Sequence, residues 1–189
     1  LPAFAAETAL TDAEICEDLG VVKGEGAGLT DDYLAKGTTR LQAAIMYLRM
    51  LKLEDAAKAY TGEENFDDAA DVAWAEGKAI LGYLKANPDL GWAGVGGNKF
   101  DPYGPASAQM MYKVCLEALG YKQDAEDGFK WADVFTFAAD KGLSLIADVT
   151  DLTNNDVAIA LVETLKLNLK DSTTTLAADL VAKGIVTEA

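Results

Sequence analysis

The sequence contains no histidine. That absence removes imidazole-based triads and most zinc sites, and it leaves a cysteine nucleophile without its usual base. Cysteine is almost missing too: Cys16 and Cys115 stand far apart and define neither a metal-ligand spacing nor a disulfide framework. Both fall at apolar positions of predicted helices and read as buried thiols, with a single bridge between those helices as the sharper alternative. Basic residues are scarce, 16 against 31 acidic ones, for a net charge of −15. Nucleic-acid binding needs clustered Lys and Arg, and an anionic membrane surface repels such a chain, so neither partner is expected. No apolar run reaches the ~18 residues of a membrane span. No stretch alternates with period 2 for long enough to argue a sheet.

What is there is largely aliphatic. The chain has 189 residues, 50% of them hydrophobic, enough to bury a substantial core as one domain or a few fused repeats. It is organised around residues 96–121, where a glycine-rich turn passes through Phe100-Asp101-Pro102 into an apolar helix. Pro105 suits the approach to a first turn and Ser107 supplies a cap. Met110, Met111, Val114, Cys115, Ala118 and Leu119 form a broad apolar arc, and Lys113 and Glu117 pair at i,i+4 on the remaining strip. Two echoes follow the same plan: residues 38–53, opening on Thr38-Thr39, and residues 152–167, opening near Thr153. Three such helices bury themselves by packing on one another, so a central three-helix bundle is expected.

Further helices are predicted around them, over residues 12–20, a second long one over 69–87 and another over 131–142, with a last one capped within residues 171–175 and closed by Gly184. Gly24, Gly26 and Gly28 punctuate the first connection, and the polar residues 61–68 read as a linker. The order of helix, glycine loop and buried helix thus occurs three times, with half a unit added. The expected fold is all-α, in three units at residues 1–60, 61–122 and 123–189 that bury their cores against neighbours.

Several short motifs, in order, carry a family resemblance. Phe66-Asp67-Asp68, Val72, Trp74-Ala75, a helix, Gly97-x-x-Phe100-x-Pro102 and Ala106-Ser107 opening a helix resemble the S-layer homology (SLH) domain. That family's pattern is Phe-x-Asp-Val, Trp-Ala, a helix ending in Gly, Gly-x-Phe-x-Pro and Thr-Arg-Ala-Glu. The middle unit matches best, and the order extends over most of the chain. The resemblance implies a pseudo-threefold spindle of three tandem helix-loop-helix SLH-like units around a central three-helix bundle. It implies secretion to the surface of thick-walled bacteria, at the cell wall or S-layer, and binding of secondary cell-wall polysaccharide, often pyruvylated. The arginine of Thr-Arg-Ala-Glu then meets the acidic sugar in grooves between units, where a guanidinium offers a carboxylate two parallel donors. The first unit keeps Thr39-Arg40, the second has Ser107-Ala108-Gln109 and the third Thr153-Asn154-Asn155. Arg40 alone preserves the cation, against a repulsive overall field.

The candidate polysaccharide-binding residues are therefore Arg40, Thr39, Ser107, Gln109 and Trp92. For Arg40 the alternative is an ordinary pair with Asp31 or Asp32. Trp74 and Trp131 lie at helical core spacing and are expected inside, whereas Trp92, within Gly91-Trp92-Ala93-Gly94, is expected to face solvent or a partner. The loop GVGGNKF follows no strand and precedes no Gly-Lys-Ser/Thr, which excludes a nucleotide loop. The acidic runs at Asp124 and Asp148 lack EF-hand spacing and read as solvated turns; no cofactor or metal is expected, and calcium would have no motif behind it. Nothing selects a carboxylate pair for glycoside hydrolysis. Ala3-Phe4-Ala5 fits the end of a secretory signal peptide and equally an ordinary apolar terminus. The expected function is a non-enzymatic module anchoring an exported protein to wall polysaccharide. The alternative is a structural subunit that self-assembles with copies of itself into a surface layer or filament, its acidic surface screened by cations.

Overall fold

The computed structural model describes residues 9–184, and the Ala3-Phe4-Ala5 pattern lies outside them. The described chain is all-α: α1 (Asp12–Asp18), α2 (Asp31–Ala35), α3 (Arg40–Met50), α4 (Glu54–Lys58), α5 (Ala75–Ala86), α6 (Ala108–Ala118), α7 (Val134–Lys141), α8 (Asn154–Leu165) and α9 (Leu176–Ala182). Among the described residues β-structure is limited to isolated bridges.

The three helices expected to be buried are α3, α6 and α8, and each starts on a hydroxyl. Thr39, Ser107 and Thr153 accept hydrogen bonds from the amides of Gln42, Met110 and Asp156, satisfying donors that a helix start leaves open. Thr39 and Thr153 complete capping boxes through the Gln42 and Asp156 side chains. Such defined starts allow these helices to be apolar on nearly every side. In α6 even Tyr112 and Glu117 join Met111, Val114, Cys115 and Leu116 in the interior. α8 packs against both α3 and α6, and also against α1 and α2.

The chain segments entering these helices are knitted together at one end. The Thr38 amide donates to the Leu152 carbonyl (3.0 Å) and Asn154 to Lys36 (2.9 Å), while Ala106 donates to Thr38 (3.0 Å) and Arg40 to Gly104 (2.9 Å). Antiparallel bridges join Gly37 to Thr153 and Thr39 to Pro105. Bonds between segments so far apart in sequence bring the first residues of α3, α6 and α8 close to neighbouring backbone.

Two expectations are corrected here. The helix predicted over residues 69–87 is a 3-10 turn at Asp67–Asp71, an extended Val72 and Trp74, and only then α5. The reason is a close approach: a Cβ on Gly77 would fall 2.6 Å from the Trp74 ring, so the indole folds back over its own helix. Trp74 is accordingly 41% exposed instead of lying in the core. The cysteines, by contrast, are the buried free thiols expected, and the alternative bridge is absent. Cys16 Sγ donates to the Ala158 carbonyl at 3.7 Å, and Cys115 lies beside Thr164. Six positions along one helix separate those contacts by about 9 Å, so the two thiols address different turns of α8. Burial pushes both up to about 12, which keeps them protonated and unreactive.

Candidate functional site

A cavity of about 420 Å³ lies between the start of α3, residues 91–95, α6 and the segment entering α7; Arg40, Trp92, Val95, Met110, Lys113 and Trp131 contribute to its walls. Its position follows from the knitted helix starts, since the bond from the Arg40 amide to Gly104 fixes α3 against the loop that precedes α6.

Arg40 is the first residue of α3, so its side chain leaves the helix where that loop passes. Its Nε donates to the Phe100 carbonyl (2.8 Å), Nη1 contacts the sulfur of Met110, and the guanidinium lies over the Phe100 ring at 5.1 Å. No described carboxylate comes within ion-pair distance, and Asp31 and Asp32 do not reach it. A guanidinium carries five N–H donors, so most of its capacity has no partner among the described residues. Burial pulls the Arg40 pKa down from its ordinary value, with Asp101 and Asp68 pushing it back. Asp68 is itself engaged, accepting from the Phe100 and Asp101 amides at 2.9 and 2.8 Å.

Trp92 differs from expectation. It is 1% exposed, with only an edge at the cavity, because it continues a row of rings under Arg40. Phe66 and Phe100 are 5.3 Å apart, Phe100 and Trp92 6.1 Å, and Trp92 meets Tyr47 edge-on at 5.8 Å. Its indole N–H has no acceptor among the described residues. Beside it Gly91 takes φ +92°, and a Cβ there would collide with the Glu117 carboxylate. That closeness serves Lys113, whose ammonium donates to the Gly91 carbonyl and pairs with Glu117 at 2.6 Å. The Lys113–Glu117 pair expected at i,i+4 is present, as a buried clamp on the loop.

Trp131 also reverses its expectation. It begins a 3-10 turn at Trp131–Asp133, before the helical spacing that suggested burial applies, and is 45% exposed beside the cavity. Gln109 Nε2 donates to its carbonyl at 2.8 Å. Gln109 therefore positions Trp131 without lining the space itself. Thr39 and Ser107 are occupied as helix caps and also stand outside the lining. The structure thus brings together Arg40 and Trp92, seats Gln109 one step behind, and adds Trp131 and Lys113. Only the cavity shows the role of Trp131, because its sequence spacing mimics a core position.

The corresponding positions on the other two helices carry no cation. Ala108 has no functional group, and Asn154, 2% exposed, donates from Nδ2 to the Tyr33 carbonyl at 2.9 Å. Among the described residues no group of three or more Cys, Asp or Glu is placed to hold a metal ion. None of the described helices is long and apolar enough to cross a membrane. No family model matches the chain, and no curated protein matches it.

Proposed function

We propose that the chain is a non-enzymatic cell-surface module that anchors an exported protein to bacterial secondary cell-wall polysaccharide, with a carboxylated sugar held at Arg40. The observation that carries this reading is a half-buried arginine with no carboxylate partner among the described residues, in a cavity, in a chain with 31 acids. Surface arginines in such company ordinarily find a carboxylate. The open donors of Arg40 match an acid brought by a ligand, and the half-exposed Trp131 ring offers an apolar face for a sugar to stack on.

On this reading residues 1–60, 61–122 and 123–189 are three units of a spindle whose central bundle is α3, α6 and α8. The hydrogen bonds that join the entries of these helices support that arrangement. One groove retains a cation, so one polysaccharide segment binds per chain. A second reading, self-assembly into a surface layer or filament, is favoured by the lack of a cation at Ala108 and Asn154 and by exposed Tyr103 (56%) and Leu145 (65%).

The test is co-sedimentation with thick-walled bacterial sacculi before and after acid extraction of the secondary polysaccharide, alongside electron microscopy of the protein alone. Binding that disappears on extraction supports the anchor. Absence of binding, together with ordered sheets or fibres, replaces it with the assembly reading.

A further inference from the structure

We infer that polysaccharide binding at the Arg40 groove strengthens as salt is added at low ionic strength, passes through a maximum, and weakens only at high salt. The inference rests on the anchor reading and concerns how that site is regulated. It follows from two fields of opposite sign and different reach. At contact range the cavity wall attracts: Arg40 and Lys113 are the charged residues lining it, Glu117 offsets Lys113, and Asp68 and Asp101 act on Arg40 from outside the lining, which leaves the guanidinium as the charge nearest the ligand. At longer range the field repels an anionic polymer, because the chain carries −15 in total.

Salt separates the two. A chain of this length has a radius of gyration of about 16 Å. The screening length is about 30 Å at 0.01 M and about 8 Å at 0.15 M salt. At the lower concentration the whole excess of carboxylates acts on the polymer. At the higher one only the neighbourhood of Arg40 does. Coulomb energies at these distances give about a fivefold gain in affinity per ligand charge between the two conditions. Nearer 1 M the screening length shrinks to about 3 Å and the contact with Arg40 itself weakens. A groove on a basic protein shows the opposite, a loss of affinity from the lowest salt upward.

The experiment titrates the full chain with acid-released wall polysaccharide across ~0.01 to ~1 M NaCl, and with CaCl2 at matched ionic strength. The expected result is a rise of about fivefold or more followed by a fall, with the two salts coinciding. A triple variant, Glu17→Gln, Asp18→Asn and Asp148→Asn, removes carboxylates that lie outside the cavity lining and form no ion pair among the described residues. It should raise low-salt affinity and flatten the rise. A steady fall from the lowest salt, or a rise seen with calcium alone, overturns the inference while leaving the anchor reading intact. Failure to bind at every salt concentration overturns both.

Discussion

Arg40 and Asn154 hold matching places, each one residue beyond the hydroxyl cap of a buried helix, and each reaching backbone of another segment. The outcomes differ. Asn154 is short, sinks to 2% exposure, and spends its amide on the Tyr33 carbonyl, closing the seam. Arg40 is long and bends over Phe100, and donors remain beside a cavity of about 420 Å³. One side chain, on similar backbone, decides whether a junction between segments is a joint or a site.

The largest way to break that contrast is to remove the floor beneath Arg40. Trp92→Ala should cost about 3–5 kcal/mol of stability, the range for truncating a buried aromatic, and denaturant unfolding measures it. Next, Arg40→Ala should lower affinity for wall polysaccharide by about 30-fold, equivalent to about 2 kcal/mol for a lost charged contact. It also removes the donor to the Phe100 carbonyl, so its stability should fall by about 1–2 kcal/mol, less than for Trp92→Ala. Asn154→Ala sharpens the comparison from the other side. It removes one of the two bonds to the Tyr33 carbonyl, which keeps the Lys36 amide, costs about 1 kcal/mol of stability, and leaves binding unchanged.

A pH-dependent effect lies away from both junctions. Burial pushes the Glu54 carboxyl up, but Arg49 at 2.8 Å, Lys58 at 3.1 Å and Lys23 at 3.5 Å outweigh that and bring its pKa from 4.5 to about 2. A carboxyl depressed in the folded state stabilises the fold fully above its ordinary pKa and loses that contribution as pH falls through the folded value. The melting temperatures of native protein and Glu54→Gln should therefore differ most near neutrality. The gap should close between pH 4.5 and about 2.

The buried helices were the most legible feature, because hydroxyl caps at Thr39, Ser107 and Thr153 and long apolar arcs act locally and agree with the packing. The tryptophans were the least legible. Trp74 and Trp131 sit just ahead of helices, where helical periodicity describes nothing, and both emerge half-exposed. Trp92 stands among glycines that look like surface, yet those glycines are what let the loop close over Tyr47 and Phe100. The cavity depends on a contact between Arg40 and Phe100, sixty residues apart. No spacing rule reaches that far.

The central claim is that the Arg40 guanidinium receives a carboxylate of the wall polymer. The most direct test titrates the native chain with acid-released polysaccharide before and after chemical reduction of the polymer's carboxyl groups, with Arg40→Ala in parallel. The account predicts that carboxyl reduction and Arg40→Ala each lower affinity by about 30-fold, and that the two together lose little more than either alone. Equal affinity for native and carboxyl-reduced polymer would contradict it.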